Sequence, residues 1–334
     1  MPNPRKLLFP FSVVYHTVTG LRNKLYDLDI LKSTSYDIPV IAVGNLNMGG
    51  TGKSPMIEYL LGNLRKNNKV ATLSRGYKRE SKGFQFVESS DPATKSGDEP
   101  LQFKNKFPEV LVAVDANRRE GISEILQFSP DVILLDDAFQ HRKVKAGIYI
   151  LLTAYGDLYI DDFLLPAGNL RESSSGAERA EIIIVTKCPA DLNETEMEEI
   201  RKRLKPNANQ QVFFTSIKYS EKVLSEKEAM PLSQVNSDFV LVTGIANPAP
   251  LIQHLKRKGI DLKHYKFPDH HSFSDNEINL LNKEKKILTT EKDFMRLKDK
   301  LPAEKIYYLP IEVHFLNNGE KRFQQKIEDF LNKK

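Results

Sequence analysis

The chain of 334 residues contains one cysteine, Cys188, so it has no internal disulfide framework, and this usage suits a reducing compartment. A small buried residue is the expected role of Cys188, ahead of a reactive thiol. Long apolar runs are also missing. The most apolar stretch near the start, residues 7–15 (LLFPFSVVY), is interrupted by Pro10 and Ser12 and followed by His16. That is far short of the ~20 apolar residues needed to span a bilayer. It is followed by no small-residue cleavage site, so a secretory leader is not expected. No block of Lys and Arg with interleaved aromatics occurs, which argues against nucleic acid as the partner. The net charge of +5 (49 basic against 44 acidic residues) permits attraction to anionic surfaces without requiring nucleic acid. There is no internal repeat and no low-complexity tract. What remains is ordinary for a globular chain, 40% hydrophobic and 28% charged, and long enough for two domains.

The strongest positive signal is Val40–Met56, VIAVGNLNMGGTGKSPM. Val40, Ile41, Ala42 and Val43 read as a short buried strand. A glycine-rich turn follows with Gly49, Gly50, Thr51 and Gly52, then Lys53, Ser54 and Pro55, where a helix should begin. Such a loop turns consecutive N–H groups toward phosphate oxygens and adds the positive end of the helix dipole. Lys53 then reaches the β/γ phosphates, and the Ser54 hydroxyl can ligate Mg²⁺. The strict pattern wants glycine at position 47, where this chain has Asn47. Asparagine tolerates left-handed backbone, so the loop is expected to close there regardless.

Farther along, Asp131–Asp137 (DVILLDD) is an apolar strand ending in Asp136 and Asp137. A carboxylate at that edge lies within reach of a metal on the P-loop serine, the Walker B arrangement. Val70–Leu73, Val110–Val114, Ile148–Leu152, Ile182–Val185 and Val212–Ile217 read as further strands. With helices between them, they imply an α/β fold of the P-loop NTPase kind. Its sheet should be mainly parallel, with helices on both faces. Arg75 and Tyr77 follow a strand end and either contact ligand or simply pack. Thr186-Lys187-Cys188-Pro189 is similar to the base-reading Asn-Lys-x-Asp of GTPases but lacks its Asn and its Asp, leaving a P-loop GTPase of metallochaperone type as the alternative. After a Gln/Asn-rich connection, a second unit restarts at Phe239–Gly244. The expected division is an N-terminal helical segment over 1–36, a core over 37–212, and a linker with a smaller α/β domain over 213–334, whose last helix packs on either part. Three of the seven histidines, His264, His270 and His271, lie close together in that unit. Without Cys or Glu at metal spacing they suit proton transfer or orientation better than a metal, against the alternative of a solvated turn.

Residues 1–36 carry Arg5, Lys6, Arg22, Lys24 and Lys32 against Asp27 and Asp29. An apolar face flanked by bases fits a helix lying in a membrane interface, and equally a helix docked on the protein's own core.

In order, the segments GNLNMGGTGKSP, SRGYKR, GDEP, DDAFQHR, LPAGNLRE, TKCP, FPDHHSF and TEKD resemble the tetraacyldisaccharide 4′-kinase family, the lipid A 4′-kinases, across almost the whole chain. The resemblance implies a kinase that moves the γ-phosphate of ATP, with Mg²⁺, to the 4′-hydroxyl of a lipid A disaccharide 1-phosphate. It also implies work at the cytoplasmic face of the inner membrane of Gram-negative bacteria, with the N-terminal helix on the membrane surface. The family fold is a larger P-loop domain joined by a β-ribbon to a smaller α/β domain. Carried over by motif, Asn47, Gly49, Gly50, Thr51, Gly52, Lys53, Ser54 and Tyr77 hold the nucleotide. Ser54, Glu99, Asp136 and Asp137 face the metal. Asp98 is the catalytic base, His270 assists it, and Lys53, His141 and Arg171 complete the catalytic set, with Arg118 in a matching motif.

Overall fold

A computed structural model describes residues 4–332 of the chain. The side chain of Lys6, and Lys333 and Lys334 at the end of the expected last helix, lie outside the described part. A nine-stranded sheet holds β1 (Val40–Asn45), β2 (Val70–Ser74), β3 (Gln85–Phe86), β4 (Leu111–Val114), β5 (Val132–Asp136), β6 (Ile148–Ala154), β7 (Ile182–Thr186) and β8 (Gln211–Tyr219). A six-stranded sheet holds β9 (Lys222–Leu224), β10 (Ala229–Pro231), β11 (Phe239–Thr243), β12 (Lys263–Lys266), β13 (Lys286–Thr290) and β14 (Ile306–Leu309). The last strand, β15 (Ile311–Phe315), returns to the larger sheet.

The order in the larger sheet is β15-β8-β7-β6-β1-β5-β2-β4-β3. From β8 to β4 every neighbouring pair is parallel, and only the two edge pairs are antiparallel. A parallel sheet covered on both faces needs apolar residues at every position, which is why β1, β2, β5 and β7 read as unbroken runs rather than alternations. Ile41 and Val43 point to one side and join Ile57, Leu60 and Leu61 of α2 (Lys53–Leu64). Val40 and Ala42 point to the other and join Ile122 and Ile125 of α5 (Arg118–Leu126). Between these helices lie the single turn α3 (Ala93–Ser96) and α4 (Asp98–Lys106). Met197, Ile200 and Leu204 of α6 (Glu194–Leu204) cover the β6–β7 end. Helix α1 (Phe9–Asp27) precedes them all.

The expected boundary after residue 212 falls inside β8, which belongs to the larger sheet along its whole length. The structural reason is the ribbon. β8 pairs antiparallel with β15 from Thr215 to Tyr219, and the Ser220 N–H donates to the Pro310 carbonyl at 3.0 Å where both strands leave for the smaller sheet. Residues 311–331 therefore rejoin the core: α10 (Gly319–Leu331) buries Phe323 and Ile327 there, and its Gln324 and Glu320 both bond the Tyr59 hydroxyl. Phe330 lies over Gly147, where an added Cβ would stand 2.6 Å from its ring. The smaller sheet carries α7 (Ala249–Arg257), α8 (Asp275–Leu281) and α9 (Glu291–Leu297).

Candidate active site

The carboxyl ends of β1, β5 and β2 converge with the N-terminus of α4, and α9 reaches this edge from the smaller sheet. At the end of β1, Asn45 donates from Nδ2 to the Asn47 carbonyl at 2.7 Å and shapes the loop that follows. Gly49 (φ +130°) and Gly52 (φ +86°) take the backbone positions that side chains disfavour. Asn47 does not: its φ is negative, and it bridges antiparallel to Leu170. The expectation that Asn47 serves a left-handed turn is thus corrected. Position 47 is extended, so a Cβ is no obstacle. Thr186 Oγ1 donates to the Thr51 carbonyl at 2.7 Å, and Lys187 Nζ donates to the Gly50 carbonyl, so TKCP braces the loop from the end of β7. Cys188 is buried behind it, its thiol pushed up to about 12 by burial and so unreactive.

Lys53 Nζ lies 3.1 Å from Asn45 Oδ1 and 3.6 Å from Asp137 Oδ1. Arg171 forks onto both oxygens of Asp137, at 3.0 and 2.9 Å, and also donates to the Asn45 carbonyl at 2.8 Å. Burial alone would raise the Asp137 carboxyl, but Lys53 and Arg171 outweigh it and hold it down at about 2. Asp137 is thereby the anion that anchors two cations. Asp136 differs. It is fully buried in the sheet edge, accepts from Ser74 Oγ at 3.2 Å on one oxygen, and has no partner on the other. Burial, with Glu99 and Asp137 nearby, pushes it up to about 7.

Asp98 and Glu99 open α4. Glu99 accepts from Ser54 Oγ at 2.6 Å and lies 2.9 Å from Lys292 Nζ, which together with Lys53 hold its carboxyl low against the opposing effect of burial. Asp98 Oδ2 lies 3.2 Å from His270 Nδ1 and accepts from Arg296 Nε at 2.7 Å and from Arg296 Nη2. Those two partners overcome the burial effect and keep Asp98 below the usual carboxylate range. His270 stands at φ +54°, and Tyr77 sets its ring against the imidazole with centroids 5.3 Å apart. His271 instead pairs with Glu277, and His264 with Thr243. His141 is half-buried and driven down to about 4 by burial and by Arg118, Arg75 and Arg22. It is neutral at physiological pH and ill-suited to donate a proton there.

The residues present fit a magnesium ion. Among the described residues no three His, Cys, Asp or Glu side chains form a metal cage. Ser54, Glu99 and the unpartnered buried oxygen of Asp136 offer a hydroxyl and two carboxylates, the sparse set this ion takes when phosphates complete its shell.

Sequence reasoning missed Arg296 and gave Lys292 no role. The signal was present. Thr290 and Asp293 have the Thr-x-x-Asp spacing of a helix start, and Thr290 caps α9 by accepting from the Asp293 N–H. Lys292 and Arg296 then lie one turn apart on one face.

The family model described as tetraacyldisaccharide-1-P 4′-kinase (LpxK) matches residues 4–332. Two relatives named tetraacyldisaccharide 4′-kinase are similar over 98% of this chain. The Flavobacterium johnsoniae protein is 51% identical (97% of its own length) and the Bacteroides thetaiotaomicron protein 45% identical (93%). Among solved structures, the apo-form LpxK of Aquifex aeolicus in complex with ATP superposes with a TM-score of 0.78 at 31% identity, covering 98% of this chain and 99% of that one.

Proposed function

Since this chain belongs to the tetraacyldisaccharide-1-P 4′-kinase family and is a kinase of lipid A biosynthesis, we propose that it transfers the γ-phosphoryl group of ATP to the 4′-hydroxyl of a tetraacyldisaccharide 1-phosphate, with Asp98 receiving the hydroxyl proton. The observation that carries this is the start of α4. Two adjacent carboxylates there face different ways, Glu99 onto the P-loop Ser54 and Asp98 onto His270. A proton acceptor and a phosphate-side carboxylate one residue apart suit a hydroxyl approaching in line with the terminal phosphate.

Lys53, the loop N–H groups from Gly49 to Ser54, and Arg171 hold and neutralise the triphosphate. Ser54, Glu99 and Asp136 would hold Mg²⁺, which would supply positive charge against the phosphates. Asp98 is a weak base where it stands, which suits a loose transition state in which the hydroxyl proton departs late. His270 orients Asp98, and Tyr77 supports His270. The charges of Arg118 and Arg75 act on His141 more strongly than the opposing charge of Asp137, which suits the approach of the acceptor's own phosphate.

Helix α1 is the proposed foot on the cytoplasmic face of the inner membrane. No helix of the described residues is long and apolar enough to cross a membrane. Leu7, Phe11, Val14, Val18 and Leu21 are nevertheless exposed along α1 and the turn before it. An acceptor whose acyl chains stay in the bilayer requires such a surface.

The test is phosphoryl transfer to tetraacyldisaccharide 1-phosphate with ATP or GTP as donor. Transfer from ATP is expected, with loss by orders of magnitude in Lys53→Ala and Asp98→Asn. Near-native kcat in Asp98→Asn removes the base assignment, and guanine selectivity without transfer favours the GTPase alternative.

A further inference from the structure

Arg296 is a tightly held cation near the site and is not among the expected site residues. Its side chain is 8% exposed although it bridges two sheets. Nη1 donates to Asp293 Oδ1 at 2.9 Å and to the Gly244 carbonyl at 3.3 Å. Asp293 is completely buried and is itself fixed by the Gly244 N–H at 2.8 Å and the Thr290 hydroxyl at 2.7 Å. From this mount, Nε and Nη2 both reach one oxygen of Asp98, Oδ2, on which His270 Nδ1 also converges. Among the described residues Oδ1 has no partner, and the Asp98 side chain keeps 16% of its surface open. Two side chains from the smaller sheet therefore grip one oxygen of a carboxylate on the larger sheet and leave the second free.

We propose that Arg296 is the positioning residue of the phosphoacceptor base: it fixes Asp98 through Oδ2, so that Oδ1 is the oxygen that meets the acceptor hydroxyl. The inference rests on the reading of Asp98 as base. A guanidinium does this better than an ammonium because its planar fork sets a direction as well as a charge. The chain from Thr290 through Asp293 to Arg296 has the form expected of a supporting shell, with each member locked by the next. A displacement of the base by about 1 Å in such a site costs about 100-fold in rate. Arg296 also makes competence depend on closure, because α9 must rest on α4 for Asp98 to be held.

The experiment compares Arg296→Ala, Arg296→Lys, Asp98→Asn and the double variant Asp98→Asn/Arg296→Ala. Each is assayed with ATP and tetraacyldisaccharide 1-phosphate in mixed micelles, alongside its melting temperature. Arg296→Ala is expected to lower kcat by about 100-fold, with KM for ATP changed less than about threefold. Guanidinium ion added to that variant should restore part of kcat, and Arg296→Lys should fall between it and the parent. The double variant should be no slower than Asp98→Asn alone, since both changes act through one group. Unchanged kcat with a lowered melting temperature reduces Arg296 to a strut between sheets. A defect confined to KM for ATP makes it a phosphate ligand, and a raised kcat makes it a lock on the base. Each of these overturns the proposal. If Arg296→Ala does not fold, Arg296→Lys and its kcat-to-KM split carry the test. Near-native kcat in Asp98→Asn fails the base reading itself. Loss in Asp98→Asn without loss in Arg296→Ala fails the role of Arg296 only.

Discussion

Asp136 and Asp137 are neighbours in sequence and opposites in environment. Asp137 leaves the strand at φ +47° and spends both oxygens on Arg171, with Lys53 close by. Asp136 stays in β5, buried, with one oxygen unpartnered. A buried acceptor without a donor costs about 1–3 kcal/mol, so a cation there recovers what the fold gives up. Asp136→Ala is therefore expected to weaken Mn²⁺ binding, read by electron paramagnetic resonance with ADP present, by at least about tenfold more than Asp137→Ala does. Equal effects would sink this division of roles. From sequence the pair was visible, but the division was not, because it depends on which carboxylate the strand ends by burying. Asn47 teaches the converse. Its identity suggested a backbone strain that an extended bridge to Leu170 makes unnecessary.

Helices α9 and α4 share an apolar core that includes Leu101, Phe103, Phe294 and Met295, and above it they meet through charge. Lys292 reaches Glu99, Arg296 reaches Asp98, and Lys106 lies between Glu58 at 2.7 Å and Glu291 at 3.3 Å. Two buried carboxylates share one ammonium there, so the pair retains a proton well above the usual range. Burial first, and Glu58 second, push Glu291 up to about 8 against the pull of Lys106. A carboxyl raised in the folded state binds its proton more tightly there than in the unfolded chain. Its stabilisation is complete below the unfolded pKa of 4.5 and is lost as pH climbs to about 8. Glu291→Gln mimics the protonated form. Its melting temperature should match the parent at pH 5 and exceed it by about 2 °C or more at pH 8.5. Parallel melting curves across that range would show that the shared proton is not linked to folding. Only the four-residue segments Gly97-Asp98-Glu99-Pro100 and Thr290-Glu291-Lys292-Asp293 stood out in the sequence here. The partners on α4 lie nearly two hundred residues from α9, and Glu58 on α2 lies farther still, so no local pattern pairs them.

At the scale of the whole molecule, the alternation of strands and helices was legible because a covered parallel sheet writes itself as apolar runs. The return of β15 and α10 was not. Their residues are typical of an edge strand and an amphipathic helix, and nothing in them specifies which sheet they join. Helix α1 posed the same ambiguity, membrane surface or own core, and it has contacts for the second while keeping a face for the first. Ser12 Oγ donates to the Leu164 carbonyl at 2.9 Å, Tyr15 to the Arg171 carbonyl at 2.8 Å, and Asn23 to Glu172 at 2.7 Å. Its polar side thus grips the segment that presents Arg171 to Asp137, while Phe11, Val14 and Val18 face outward. Two variants should therefore fail differently. Phe11→Glu/Val14→Glu/Val18→Glu removes only the outward face. It should float with anionic lipid vesicles at least about tenfold less and raise KM for acceptor in bilayers, while KM for ATP and kcat in detergent stay near the parent values. Deleting residues 1–15 also removes the Ser12 and Tyr15 bonds. Arg171 then loses its backing, and kcat should fall even with acceptor dispersed in detergent. If the deletion and the triple variant behave alike in detergent, α1 is a membrane foot with no hold on the site. If the triple variant still floats like the parent, the exposed face of α1 is not what meets the lipid.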